Sequence, residues 1–269
     1  MAIDQKVGSV YKIDDVGVGD EKDIRDFFAT QREFLGKTNI DDRDSEEEDK
    51  ARYLAEQKSA LSKPVYRSFS VVPADTYAKG VAKLKAKGQV PFSHEQNVEA
   101  MVLDYEAKGN KSKLFGTFLD SVTGVAYDAG SSWFKVNPVC YELKVIEPSF
   151  NDGFLPVNYK SLKSKDGWVE FDSSDKKVKY NQDLTREEAK VHPAHIAAMG
   201  GNSKLWEKCV DLWFDMTGAE KGVGFYVRRN TSEDELRSVV LSDDDYDFDV
   251  LGNCDLSYDA RFVSSAQSK

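Results

Sequence analysis

The chain has 269 residues, of which 40% are hydrophobic and 31% are charged, and its formal net charge is -10 at pH 7. This composition is typical of a globular protein and excludes a largely disordered chain. No apolar run approaches the roughly 20 residues that span a bilayer, so no membrane insertion is expected. The negative charge argues against indiscriminate binding to nucleic acid or anionic membranes.

The chain start and the cysteines predict a cytoplasmic protein. The first residues carry neither the basic end nor the apolar core of a secretory signal. Cys140, Cys209 and Cys254 are odd in number and far apart, which favours a reducing compartment over a disulfide framework.

Helical signals dominate the first 110 residues. Asp20 is suited to cap a helix over about 21–35, and Ser45 opens a second that runs toward Pro64. The residues 65–72 resemble a strand. Two more helices follow, one capped by Asp75 and one opened by Ser93 with Gln96 and ending at Gly109.

The centre of the chain, from about Lys113 to Tyr180, has the periodicity of strands. Apolar residues alternate over 139–146, which predicts a strand covered on at least one face. Residues 168–171 and 177–180 flank a turn-like Asp-Ser-Ser-Asp sequence, so we predict a hairpin there.

The last third predicts helices followed by closing strands. Thr185 and Glu188 form a capping box, and Gly218 ends the clearest helix, Ser203–Thr217. The predicted apolar face of this helix consists of Leu205, Trp206, Cys209, Trp213 and Met216. Residues 223–227 then begin the closing strands, which continue to 261–263.

This order predicts an α+β protein with a helical N-terminal part, a strand-rich centre, a late helical pair and closing strands. A weak boundary separates a mainly helical region, 1–110, from a mixed α+β region, 111–269. One continuous domain is the alternative, because the polar segment at the boundary is too short to establish a flexible linker.

The segment Leu241 to Val250 alternates acidic and apolar residues. In a strand, Asp245, Asp247 and Asp249 would share one face, opposite an apolar face that joins the core. We interpret the acidic face as the outward face of an edge strand that is available to a basic partner. A calcium loop of the EF-hand type is disfavoured, since Phe248 and Cys254 occupy its glycine and glutamate positions. A magnesium or manganese carboxylate site remains open.

Basic and aromatic residues of the centre offer a second candidate surface. Lys176, Lys177 and Lys179 could contact phosphates, and Trp168 and Tyr180 could stack on bases. Aromatic residues at strand spacing more often pack a sheet, which is the competing interpretation.

Two histidines stand close together in the sequence. Glu188, His192 and His195 would share a face of an uninterrupted helix, and these residue types bind zinc. Pro193 interrupts that geometry, so capping or packing histidines are the favoured interpretation.

These patterns predict a noncatalytic interaction or assembly subunit that presents acidic surfaces to a protein partner. The sequence contains no Gly-x-Ser-x-Gly, His-Glu-x-x-His or Cys-x-x-Cys motif, and we predict no catalytic, cofactor or metal residues. The alternative is a nucleic-acid-associated or processing subunit that uses the central lysines and aromatic residues. A carboxylate-metal hydrolase is the third hypothesis.

Overall fold

A computed structural model of the chain describes residues 69–109, 112–243 and 248–265. The two helices predicted over 21–35 and from Ser45 toward Pro64 lie outside the described residues, as do Asp245 and Asp247. The described residues form an α+β fold, as predicted.

Nine strands, six α-helices and two short 3-10 helices, Tyr159–Ser161 and Ser164–Asp166, are distinguished in the described ranges. The strands are β1 (Phe69–Ala74), β2 (Leu119–Tyr127), β3 (Trp133–Asn137), β4 (Leu155–Pro156), β5 (Val169–Asp172), β6 (Val223–Tyr226), β7 (Glu235–Asp243), β8 (Phe248–Leu251) and β9 (Ala260–Ser265). The helices are α1 (Tyr77–Ala86), α2 (His94–Lys108), α3 (Tyr141–Lys144), α4 (Arg186–Lys190), α5 (Pro193–Ala198) and α6 (Ser203–Thr217).

The strands form two sheets. In the larger one the order is β5-β3-β2-β7-β8-β6, with β4 also paired to β7. Its neighbours pair antiparallel, except for the parallel pair β6 and β8. The smaller sheet pairs β1 with β9, from Phe69 opposite Ser265 to Ala74 opposite Ala260. The first and last described strands are therefore neighbours.

The larger sheet has a hydrophobic core on each face. In β2, Val125 and Tyr127 belong to one core and Ala126 to the other, as the alternation of side chains requires. The large core contains residues of α2, α5 and α6, whereas the small core contains residues of α1, α3, β1 and β9. Residues on both sides of position 110 share the large core, which favours one continuous domain, although the boundary stays a prediction.

Helix α6 has the bounds that its sequence predicts. The Asn202 side chain caps it by accepting from the Leu205 amide, and Gly218 ends it in the left-handed conformation, φ 66°. Trp206 and Trp213 are fully buried, as expected, but Met216 is 40% exposed, so its assignment to the apolar face was wrong. The capping boxes predicted at Ser93 and Thr185 are both confirmed.

Two strand predictions for the centre were wrong. Residues 141–144 form the helix α3, because the buried residues Cys140, Leu143 and Ile146 recur every third position rather than every second. The predicted hairpin of 168–171 with 177–180 does not form. Strand β5 pairs with β3 instead, and Phe134 stacks on Phe171 across that pair with ring centroids 5.4 Å apart.

Candidate binding surface at one end of the sheet

Four connecting segments leave the large sheet at the same end. Tyr127 lies opposite both Phe134 and Glu235, so the β2–β3 turn and the approach to β7 are neighbours. Trp133 pairs with Asp172, which places the segment after β5 at this end. Strands β6 and β8 are parallel and both finish there. We call this surface, made of residues 128–132, 173–180, 227–234 and 252–259, the loop end.

Backbone hydrogen bonds join these segments to one another. The Gly130 amide donates to the Thr231 carbonyl at 2.8 Å, and the Asn230 amide donates to the Ser131 carbonyl at 3.2 Å. Asn230 has a φ of 55°, in the left-handed region that asparagine tolerates better than most residues. The Ser173 amide adds a bond of 2.9 Å to the Ser132 carbonyl. The loops thus position one another.

The carboxylate of Asp234 bridges two of the segments. One oxygen accepts from the Ala129 amide at 2.9 Å, and the other accepts from the Tyr159 amide at 2.9 Å. The segment after β4 is thereby fastened to the β2–β3 turn. Because both carboxylate oxygens accept backbone donors, Asp234 acts as an anchor for the loops.

A buried arginine sits beneath the loop end. Arg237 is 1% exposed, and its Nε donates to the Glu235 carboxylate at 2.8 Å. Its Nη1 binds the Asp255 carboxylate and the carbonyls of Gly153 and Cys254, at 3.0 and 3.1 Å for the two carbonyls. A buried guanidinium needs such partners, since an unpaired charge in the interior is costly.

Arg228 extends this network toward the surface. Its Nη2 donates to Asp255 at 3.2 Å, and Nη1 lies 4.0 Å from the Glu235 carboxylate. The guanidinium carbon of Arg237 lies 5.3 Å from the Phe154 ring centroid. Two arginines and two acids therefore balance in charge while they tie strand β7 to the segments around Phe154 and Asp255.

The three cysteines carry free thiols. Burial raises the pKa of Cys254 to about 12, and it raises the pKa of Cys140 well above its usual range. Raised pKa values keep these two thiols protonated near neutral pH, whereas a nucleophilic cysteine reacts as the thiolate. Cys209 is fully buried in α6, as predicted.

The residues predicted to bind nucleic acid divide into two groups. Lys176, Lys177 and Lys179 are exposed, and Lys179 forms an ion pair with Glu188. Trp168 and Tyr180 are only 3% and 5% exposed and belong to the small and the large core, respectively. A base could stack on either ring only if the ring left its core, so the structure supports the packing interpretation of these two aromatic residues.

The described parts of the acidic segment belong to two strands, since β7 ends at Asp243 and β8 begins at Phe248, and β8 lies inside the sheet rather than at its edge. Phe248 and Val250 are fully buried, which confirms the predicted core face of β8. The edge-strand expectation was wrong, because β8 pairs with β7 on one side and β6 on the other. Asp249 is half-buried, and its carboxylate accepts from the Gly224 amide of β6 at 3.1 Å. This carboxylate therefore has a partner within the sheet.

The alternative zinc trio of Glu188, His192 and His195 is not assembled. Glu188 completes the capping box of α4, and its bond with Lys179 is the largest of the causes that lower its pKa to about 2. His192 and His195 are buried beside aromatic rings. Within the described ranges no group of three or more histidine, cysteine or acidic residues could hold a metal ion.

The anchors of the loop end, Asp234, Arg237 and Asp255, were missed by the sequence interpretation. A signal exists for Arg237, because Glu235 and Arg237 share one strand face with the apolar residues Val239 and Leu241. Such a pair of opposite charges within a buried strand points to an internal ion pair. Asp234 and Asp255 lie in connecting segments, where acidic residues are ordinary.

Comparison with known proteins shows the fold. No protein-family model and no curated protein matches the chain. One similar solved structure concerns the accommodation of massive sequence variation in Nanoarchaeota by the C-type lectin fold. It is 16% identical, with a TM-score of 0.57, over 74% of this chain and 98% of that chain. The described part of this chain thus resembles the C-type lectin fold. No helix of the described ranges has the length and apolar character required to cross a membrane.

Proposed function

We propose that this chain is a noncatalytic binding protein, an interaction or assembly subunit, and that the loop end is the surface that contacts its partner. The observation that supports this proposal most directly is that four segments from distant parts of the sequence meet at one end of the sheet. Asp234 and the network around Arg237 hold three of these segments, and the bond of the Ser173 amide to the Ser132 carbonyl holds the fourth. Fixed backbones lower the conformational entropy that is lost on binding.

The exposed side chains of the loop end suit protein recognition. They are small, polar or charged, and they project from loops with several mutual hydrogen bonds; among them are Ala129, Ser174, Arg229, Asn230, Ser232 and Glu233. Tyr258, in the segment after β8, is 69% exposed. Tyrosine and arginine are enriched among the residues that dominate protein–protein binding energy, so Tyr258 and Arg229 are our candidate anchors.

The fold similarity supports this proposal by analogy. The Nanoarchaeota structure concerns a C-type lectin fold that accommodates massive sequence variation. A fold that tolerates variation must separate the residues that maintain it from those that vary. In this chain the two cores and the buried ion network maintain the fold, and the loop end supplies exposed positions that can vary without disturbing it.

We also propose a cytoplasmic location, supported by the three free thiols. The acidic surface of Asp245, Asp247 and Asp249 for a basic partner also stays a proposal, although the Asp249 carboxylate accepts a hydrogen bond within the sheet. Nucleic-acid binding through Lys176 and Lys177 is the second candidate, since both lysines are exposed at the loop end. The metal-dependent hydrolase gains no support from the described residues.

The test uses two substitutions of the same kind. Tagged protein is recovered from its source cells, the copurifying protein is identified, and its affinity is measured for Ala129→Arg and Ala86→Arg. Both alanines are exposed, but Ala129 belongs to the loop end and Ala86 to α1. We expect Ala129→Arg to weaken binding about tenfold or more, a loss of about 1.4 kcal/mol.

The control Ala86→Arg is expected to bind like the wild type. Equal affinity of both variants would contradict the proposed surface. Copurification of nucleic acid in place of a protein would instead support the second candidate.

A further inference from the structure

All three histidines of the chain lie in one buried cluster. His94 begins α2, His192 precedes α5 as its N-cap, and His195 lies within α5. They are 0%, 5% and 0% exposed. The rings of His192 and His195 are 4.9 Å apart, and His195 stacks on Trp206 of α6 at 4.4 Å. His94 approaches the same Trp206 ring at 6.0 Å.

The imidazole nitrogens of this cluster are unpaired. Neither ring nitrogen of any of the three histidines forms a hydrogen bond with a described residue. Buried polar atoms usually find partners, and each exception calls for a physical explanation. In the neutral form an imidazole can pack as an aromatic ring, whereas an imidazolium at His94 or His195 would be a charge without a hydrogen-bond acceptor among the described residues.

Burial is the largest cause of the lowered pKa values of the three histidines. Burial lowers the pKa of His94 and of His192 to about 3. The backbone of Lys179 partly opposes this lowering for His192, although its contact with the ring falls outside hydrogen-bond geometry. Burial lowers the pKa of His195 well below its usual range, and the other two histidines lower it further. Protonation of a second histidine in the cluster would therefore be opposed by the positive charge of the first.

The acids on the surrounding elements do not offset this effect. Glu95 of α2 accepts from the Asn202 side chain, Glu188 of α4 pairs with Lys179, and Asp249 of β8 accepts from Gly224. The histidine pKa shifts come from burial, from the neighbouring histidines and from the Lys179 backbone. Asp120 of β2 and Tyr180 are titratable residues near the cluster. The other titratable residues on α2, α4, α6 and β6 are Glu99, Asp104, Tyr105, Glu106, Lys108, Arg186, Glu187, Lys190, Lys204, Glu207, Lys208, Cys209, Asp211, Asp215 and Tyr226.

The cluster contacts the two segments that lead to the loop end. His192 lies 5.1 Å from the Tyr180 ring and 5.9 Å from the Phe225 ring, between centroids. Directly beyond these rings, the Asn181 amide donates to the Phe225 carbonyl at 3.1 Å, and the Asn181 side chain accepts from the Val227 amide at 2.7 Å. Displacement of the rings would thus disturb residues 173–181 and 227–234 together.

We propose that His94, His192 and His195 form an acid-sensitive latch, whose uncharged rings hold α5 and α6 on the sheet and whose protonation releases these helices and the two loop-end segments. The unfolded chain takes up protons near the ordinary pKa of 6.5, whereas the latched protein does so only far below it. The contribution of the three histidines to stability is therefore fully present above about pH 6.5 and is lost as the pH falls toward about 3. The latch is independent of what the loop end binds.

The test follows near-ultraviolet circular dichroism, which reports the packing of the aromatic side chains, Trp206 and Trp213 among them, from about pH 8 down to about pH 3. The variant His192→Phe/His195→Phe keeps aromatic rings in the cluster and keeps every carboxylate of the wild type. We expect its acid midpoint to lie lower than that of the wild type by roughly one pH unit or more. An unchanged midpoint in a variant that is folded at neutral pH would overturn the latch.

A second measurement on the wild type needs no variant. Nuclear magnetic resonance of the imidazoles follows their protonation directly, and hydrogen exchange follows the loop-end amides. We expect neutral rings until the acid transition, and loss of protection in residues 173–181 and 227–234 at that same transition. Titration of the histidines near pH 6.5 in the folded protein, or loops that stay protected through the transition, would overturn the proposal.

Discussion

Arg237 and Asp255 form an ion pair inside the protein, although they are 18 positions apart in the sequence. Arg237 lies in β7, and Asp255 lies in the segment that follows β8. Because the same Asp255 carboxylate also accepts from Arg228, one acid fixes two loop-end segments. The shape of the proposed binding surface therefore depends on charges beneath it.

The first prediction concerns this pair. Asp255→Ala leaves Arg237 and Arg228 facing the single carboxylate of Glu235, and we expect it to lower the free energy of unfolding by about 3 kcal/mol. Urea unfolding measures the change. The control is Asp259→Ala, an exposed acid in the same segment, which should change stability by less than about 0.5 kcal/mol. Similar effects of the two substitutions would show that the network does not stabilise the fold.

The second prediction concerns Asp120, a buried carboxyl of β2. Burial raises its pKa to about 7, while the Arg261 amide, which donates to it at 2.8 Å, acts in the opposite direction. Between about pH 4 and pH 7 the unfolded carboxyl is ionised and the folded one is not, so this group lowers stability as the pH rises.

The substitution Asp120→Asn keeps a side-chain oxygen that can accept from the Arg261 amide, and it removes the titratable carboxyl group. We expect its stability relative to the wild type to grow from about pH 4 to about pH 7, by up to about 4 kcal/mol, and then to level off. Thermal unfolding across this range checks the trend. A difference that does not depend on pH would be contrary to a buried, protonated Asp120.

The third prediction compares two residues of α6. Trp213 is 1% exposed, and Trp213→Ala should destabilise the protein by about 3 to 5 kcal/mol. Met216, one turn farther along, is 40% exposed, and Met216→Ala should cost less than about 1 kcal/mol. The Cys209 thiol should react with thiol reagents only on unfolding. Rapid labelling of Cys209 in the native protein would contradict the core assignment.

The fourth prediction tests nucleic-acid binding. Lys176→Glu/Lys177→Glu changes two exposed lysines of the loop end, and Lys85→Glu/Lys87→Glu makes the same change at α1. If phosphates bind the loop end, only the first variant should lose affinity, and its salt dependence should become shallower. Fluorescence anisotropy with labelled RNA at low salt gives the measurement. Absence of wild-type binding would remove this second candidate function.

The sequence was informative wherever periodicity and capping agreed. Helix α6 could be predicted with its true bounds, because two tryptophans, Cys209 and a terminal glycine all indicate the same helix. The apolar face of β8 could be predicted because Phe248 and Val250 alternate with polar residues in the sequence. These are local signals, and the structure retains them.

The wrong predictions arose where a local pattern was ambiguous or where the structure depends on pairing between residues distant in the sequence. Alternation over 139–146 resembled a strand, but Cys140, Leu143 and Ile146 share a helical spacing that the intervening residues concealed. No local pattern shows that β8 lies between β6 and β7. The loop end is likewise assembled by strand order and by long-range bonds such as that of Asp234 with Ala129.

The most direct test of the proposed binding surface is hydrogen exchange of the protein with and without its copurified protein partner. The account predicts that the partner protects amides in residues 128–132 and 227–234 and leaves those of the outward face of α1 unchanged. Protection confined to α1 or to α6, with unaltered exchange in the four loop-end segments, would contradict it.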